Sequence, residues 1–143
     1  MTRIDFYILP DVDSESKFRF ACRLAHRAIA DGGQAHVRTA SAEATAALDA
    51  LMWSYPEGRF LPHATGDDDS SLVRIGHEEP PPGSDELLIN LGDDIPVYFD
   101  RFQRVCEVVP GPELAAGRAR YGQYRRRGFP LHHHDLDDWE TAR

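Results

Sequence analysis

Apolar positions along this chain recur at intervals of two in some stretches and of three to four in others, and the switching between those periods predicts its elements. Ile4-Asp5-Phe6-Tyr7-Ile8-Leu9 is rich in β-formers and ends at Pro10, which predicts a mostly buried first strand. From Glu15 to Asp31 the residues Phe18, Ala21, Cys22, Ala25, Ala28 and Ile29 form one core-facing stripe of a helix that Gly32-Gly33 stops. Its opposite face carries Arg19, Arg23 and Arg27 at i+4 steps, read as a solvated row. Ala35-His36-Val37-Arg38-Thr39 alternates as a short strand, and Ser41 caps a second helix that runs to Met52. Leu72-Val73-Arg74-Ile75, Leu87 to Leu91 and Phe102 to Val109 are further strand candidates, the second continuous enough to be central. Gly111-Pro112-Glu113 opens a last helix, and Gly128 ends it.

Two β-α units in succession imply a parallel sheet, so the expected fold class is α/β: a three-layer sandwich with a mainly parallel central sheet. No internal repeat and no long linker divides the sequence, which makes residues 1–143 one domain with a flexible C-terminal tail over 132–143. The length fits that reading, since a chain of 143 residues buries roughly two thirds of its unfolded surface without metal or disulfide staples. Cys22 and Cys106 lack C-x-x-C spacing and read as small buried hydrophobes. No export signal stands between Met1 and Pro10, and no apolar run approaches the roughly 20 residues of a membrane span, so a cytoplasmic location is expected. Lys17 is the only lysine and no Gly-x-Gly occurs, which excludes a Walker A loop and leaves a Rossmann-like topology without the dinucleotide fingerprint.

Charge changes the picture more than composition does. Residues 113–129 hold Arg118, Arg120, Arg125, Arg126 and Arg127 against Glu113 alone, a local charge of +4 in a chain of −8, so the remainder holds −12. Tyr121 and Tyr124 interleave with those arginines, and guanidinium forks beside aromatic rings suit phosphate or carboxylate equally. Leu114, Arg118, Tyr121 and Arg125 share one helical stripe, while Arg120, Tyr124 and Arg127 share another. Gly117 and Gly122 weaken the helix and permit close approach of another chain. The acidic remainder argues against broad nucleic-acid binding, which needs many phosphate contacts. His132-His133-His134 followed by Asp135, Asp137 and Asp138 contains metal-ligand types, yet consecutive side chains diverge, so no metal and no cofactor is expected. No nucleophile elbow or paired-carboxylate spacing stands out, and the chain reads as a non-enzyme.

Phe6-Tyr7-Ile8-Leu9, Leu51-Met52-Trp53 with Pro56, Phe60-Leu61-Pro62-His63, Leu88-Ile89-Asn90-Leu91, and Val108-Val109-Pro110 followed by Arg118, Arg120-Tyr121, Tyr124-Arg125 and Gly128-Phe129 together resemble the chi subunit of bacterial DNA polymerase III. The resemblance implies a non-catalytic clamp-loader accessory in DNA replication, which pairs with the psi subunit and holds the acidic C-terminal tail of single-stranded-DNA-binding protein. It places tail binding at Val109, Arg118, Tyr121 and Arg125, and the psi interface at Trp53, Phe60, Pro62 and His63. Gly122 stands where some members of the family carry a lysine, with Arg125 or Arg126 near enough to compensate. Two rival readings remain open at this stage: a small metal-dependent hydrolase or nuclease using the His/Asp-rich C-terminus, and a direct nucleic-acid-binding module.

Overall fold

A computed structural model describes residues 1–56, 61–65, 71–83 and 85–140. The elements run β1 (Arg3–Ile8), α1 (Ser16–Ala30), β2 (Ala35–Arg38), α2 (Ala42–Met52), β3 (His63–Thr65), β4 (Val73–Gly76), β5 (Leu87–Asn90), β6 (Arg104–Val109), α3 (Leu114–Arg126) and β7 (Leu131–Asp135), with single 3-10 turns at Phe99–Arg101 and Gly111–Glu113. All strand pairings are parallel, and the sheet order is β3-β4-β2-β5-β6-β1-β7.

Alternation along the central strands builds a core on each face. Leu87, Ile89, Cys106 and Val108 pack with Phe20, Ala21, Ala25, Leu48 and Met52 of α1 and α2. Leu88, Val105, Val109, Ile4 and Phe6 pack on the other face with Phe99, Phe102 and Tyr124. The result is the three-layer α/β sandwich expected from the sequence. Ser41 caps α2 as expected, its Oγ accepting from the Ala44 amide at 3.1 Å. Cys22 and Cys106 are buried thiols, and burial pushes both up to about 12, so neither is a thiolate near neutral pH.

Two readings of the sequence are corrected. The stretch taken as a flexible tail supplies β7 over its first residues, in register with β1 from Ile4↔Leu131 to Ile8↔Asp135. Beyond β7, Trp139 is buried against Phe20 and its indole N–H donates to Asp11 at 2.7 Å. The arginine row of α1 is also only partly solvated. Arg19 donates to the Glu140 carboxylate at 3.1 Å and Arg23 to the Glu140 carbonyl at 2.5 Å, so two of the three arginines tie α1 to the segment after β7, and only Arg27 is exposed.

Asp5 anchors the same edge from beneath. Its fully buried carboxylate meets Arg104 at 2.7 Å, Arg3 at 3.0 Å and His134 of β7 at 3.0 Å. Burial by itself would raise its pKa, but the hydrogen bonds of Arg3, His134 and Arg104 hold it down to about 2.

Candidate functional site

The α3 side of the β6-β1-β7 edge carries a recess of about 480 Å³. Its floor is set by sheet register: Val109, Ile8 and Asp135 stand side by side on β6, β1 and β7, with Phe6 and His133 forming the next row. Leu114, Gly117, Arg118 and Tyr121 of α3 supply the wall. Tyr121 meets Phe6 edge to face with ring centroids 5.2 Å apart, which leaves its phenol half-buried. Arg118 is exposed and makes no ion pair among the described residues. An apolar hollow therefore opens beside an available guanidinium.

Gly117 explains how α3 comes so near the sheet. A Cβ built there would lie 2.7 Å from Val109 Cγ1 and 2.9 Å from Cγ2, so the glycine serves packing within this chain. That corrects the reading of Gly117 as room for another chain. Gly122 differs, since a Cβ there would meet only the mobile end of Arg126 at 3.3 Å. Gly117→Ala should strain the α3–β6 contact by about 1–3 kcal/mol, more than the roughly 1 kcal/mol that alanine adds in helix propensity. A net loss of about 1 kcal/mol in urea unfolding is expected, and unchanged stability would refute the account of that contact.

The structure thus brings together Val109, Arg118 and Tyr121. Arg125 lies one turn further along the same stripe, exposed and outside the recess. Sequence reasoning missed Phe6, Ile8, His133 and Asp135. The last two were legible in principle, because a helix stop at Gly128 followed by Pro130 and five residues is where a βαβ crossover delivers its next strand.

The second arginine stripe has a different role from the one its periodicity allows. Arg120 and Tyr124 turn to the sheet, where buried Glu107 accepts from Arg120 Nε at 2.9 Å, Tyr124 Oη at 2.8 Å and Asn90 Nδ2 at 2.9 Å. Burial, and then the adjoining Glu107 carboxylate, drive the Tyr124 phenol pKa upward. Asn90 in turn accepts from Arg38, which pairs with Asp94 at 2.7 Å. Arg127 covers the Phe99 ring, its guanidinium carbon 4.7 Å from the centroid.

Of the residues assigned to a psi interface, Trp53, Pro62 and His63 lie toward the far edge of the sheet, where His63 begins β3. Trp53, just past α2, is 61% exposed and meets the His63 ring at 4.8 Å. Pro62 is exposed beside it. His63 begins β3, with Nδ1 2.6 Å from the Leu61 carbonyl and Nε2 3.0 Å from Asp49. Phe60 lies outside the described residues. Trp53, Pro62 and His63 therefore stand toward the sheet edge opposite the recess.

His133 faces the recess, whereas His134 reaches Asp5 on the opposite face and stacks on Tyr7 at 4.7 Å. Strand geometry separates the imidazoles that a hydrolytic site would have to converge. Among the described residues no group of three His, Cys, Asp or Glu side chains is placed to hold a metal ion, and no helix is long and apolar enough to cross a membrane.

A family model described as DNA polymerase III chi subunit, HolC, matches residues 1–132. The chain is also 37% identical over 139 residues to the DNA polymerase III subunit chi of Pseudomonas aeruginosa, covering 95% of this chain and 98% of that protein.

Proposed function

The chain belongs to the DNA polymerase III chi-subunit family, and from that membership we propose that it is a non-catalytic adaptor joining the clamp loader, through psi, to the acidic C-terminal tail of single-stranded-DNA-binding protein. The observation that carries the reading is the guanidinium-edged apolar recess between α3 and the β6-β1-β7 edge. A tail of acidic residues ending in proline and phenylalanine places its terminal ring on Val109, Ile8 and Phe6, and its carboxylates toward Arg118. Arg125 and Arg126, exposed on the last turn of α3, meet the acidic residues further up the tail. Asp135 lines the same recess and opposes an anionic guest, which keeps the contact weak and reversible. Affinity in the micromolar range is expected from so short a segment, with avidity from several tails presented along one strand.

The psi contact is made through Trp53, Phe60, Pro62 and His63, of which Trp53, Pro62 and His63 stand toward the opposite edge of the sheet. Placing the two contacts on opposite edges lets one subunit engage both partners at once. A double dissociation tests the whole scheme. An acidic peptide ending in Ile-Pro-Phe, titrated by fluorescence anisotropy, should bind saturably, about tenfold more weakly to Arg118→Ala and more tightly to Asp135→Asn. Added salt should weaken it, since exposed charge pairs are screened over about 10 Å at 0.1 M. Trp53→Ala should release co-purifying psi and leave peptide affinity unchanged. Absence of saturable peptide binding by the wild-type chain would reject the adaptor reading.

A further inference from the structure

A second crevice, of about 330 Å³, opens on a part of the molecule that the adaptor role does not use. It lies at the carboxyl ends of β2, β3 and β4, against the first turn of α2 and the segment after β4.

Its floor is His36, 2% exposed, with neither ring nitrogen partnered. Burial and then the charges of Arg74, Arg101 and Arg38 depress the imidazole pKa to about 3, so the ring is neutral and offers one N–H donor and one lone pair. Arg74 stands opposite His36 in the β2–β4 ladder, 5% exposed, its Nη2 unpartnered. No carboxylate among the described residues pairs with it, although a buried guanidinium ordinarily requires one. At the head of α2, the amides of Ala42 and Glu43 precede the first helical bond, Thr45 N–H to Ser41 carbonyl.

We propose that this crevice binds an oxyanion, the phosphate or carboxylate group of a small metabolite, held by His36, Arg74 and the first turn of α2. His36 offers a donor on the floor, and beside it in the ladder Arg74 carries positive charge that no described carboxylate pairs with, a combination suited to such a group. The rim limits what can enter. Glu79 is engaged by Arg101 at 3.0 Å, and Glu78 stands in solvent 3.6 Å from His77. Carboxylates at the mouth repel a polyanionic strand, so the ligand is a compact monomer and not nucleic acid.

The test follows the ring resonances of His36 by long-range proton–nitrogen NMR on the full chain. Inorganic phosphate, a nucleoside monophosphate and acetate are titrated separately, which distinguishes phosphate from carboxylate sources. At least one should shift both His36 nitrogens saturably at about millimolar concentration or below. Arg74→Gln should weaken that response by about tenfold. Because Arg74→Gln could unfold the sheet, Gly76→Val provides a second variant. A Cβ at Gly76 lies at an ordinary 3.8 Å from His36 Cε1, so valine is tolerated in the strand yet fills the space above the imidazole, and the shift should vanish. No response to any probe, or the same response in Gly76→Val, means a recess that holds only water and overturns the proposal.

Discussion

Arg120→Ala should destabilise the fold by about 3–5 kcal/mol, the characteristic cost of removing one partner from a buried ion pair and leaving the other charge uncompensated. Glu107 is fully buried, and Arg120 at 2.9 Å is its only cationic partner among the described residues. Tyr124 and Asn90 still donate to the carboxylate after the change, but neither neutralises it. Urea unfolding of the variant against wild type reads the loss directly. Arg120→Met combined with Glu107→Leu should recover much of it, because a packed apolar pair avoids the stranded charge. A loss below about 1 kcal/mol in the single variant would refute the stranded-charge account of this pair. The effect reaches function through position, since Arg120 and Tyr124 fix the face of α3 that sets Arg118 and Tyr121 over the recess. Arg118→Ala, by contrast, removes an exposed side chain and should change peptide binding while leaving unfolding as it was.

The same network shows why some of this molecule is legible in its sequence and some is not. β1, β2, β4, β5 and β6 are covered on both faces, so they read as apolar or alternating runs, and α1 to α3 declare themselves by stripe and stop. β3 and β7 are edge strands. His63-Ala64-Thr65 and Leu131-His132-His133-His134-Asp135 have one neighbour each, and their polar side chains carry no core signal. Periodicity also misjudged α3, because arginine and tyrosine look alike on wet and buried faces. The clue lay elsewhere, in Glu107 amid Val105, Cys106, Val108 and Val109, where a lone acid in an apolar strand calls for a buried cation. Of the recess, the resemblance supplied Val109, Arg118 and Tyr121, each on an element the sequence predicted. That a strand follows Gly128 was legible, but which of its residues join Phe6 and Ile8 on the floor depends on β1–β7 register, which no local pattern encodes.

His36 provides the other large effect, a loss of stability on mild acidification. Its folded pKa lies near 3 while an unfolded histidine titrates near 6.5, so between those values the unfolded chain holds a proton that the native chain does not. Stability then rises with pH across that window and falls on acidification, by about 1.4 kcal/mol per pH unit for one group. From pH 6.5 to pH 4.5 the expected loss is about 2–3 kcal/mol. Asp5 acts in a separate, lower window. Its folded pKa near 2 lies beneath the ordinary aspartate value of 3.8, so its contribution is complete above about pH 4 and disappears only as pH falls from there toward 2. His36→Leu removes the upper window and preserves the lower one. Unfolding free energies measured at pH 7, 5.5 and 4.5 should therefore slope for wild type and lie nearly flat for His36→Leu, and parallel slopes would show that protons enter the native His36 ring. The protonated ring would need a compensating anion beneath the segment after β4, where Arg38, Arg74 and Arg101 already concentrate positive charge, so the neutral imidazole is the form the sheet can bury.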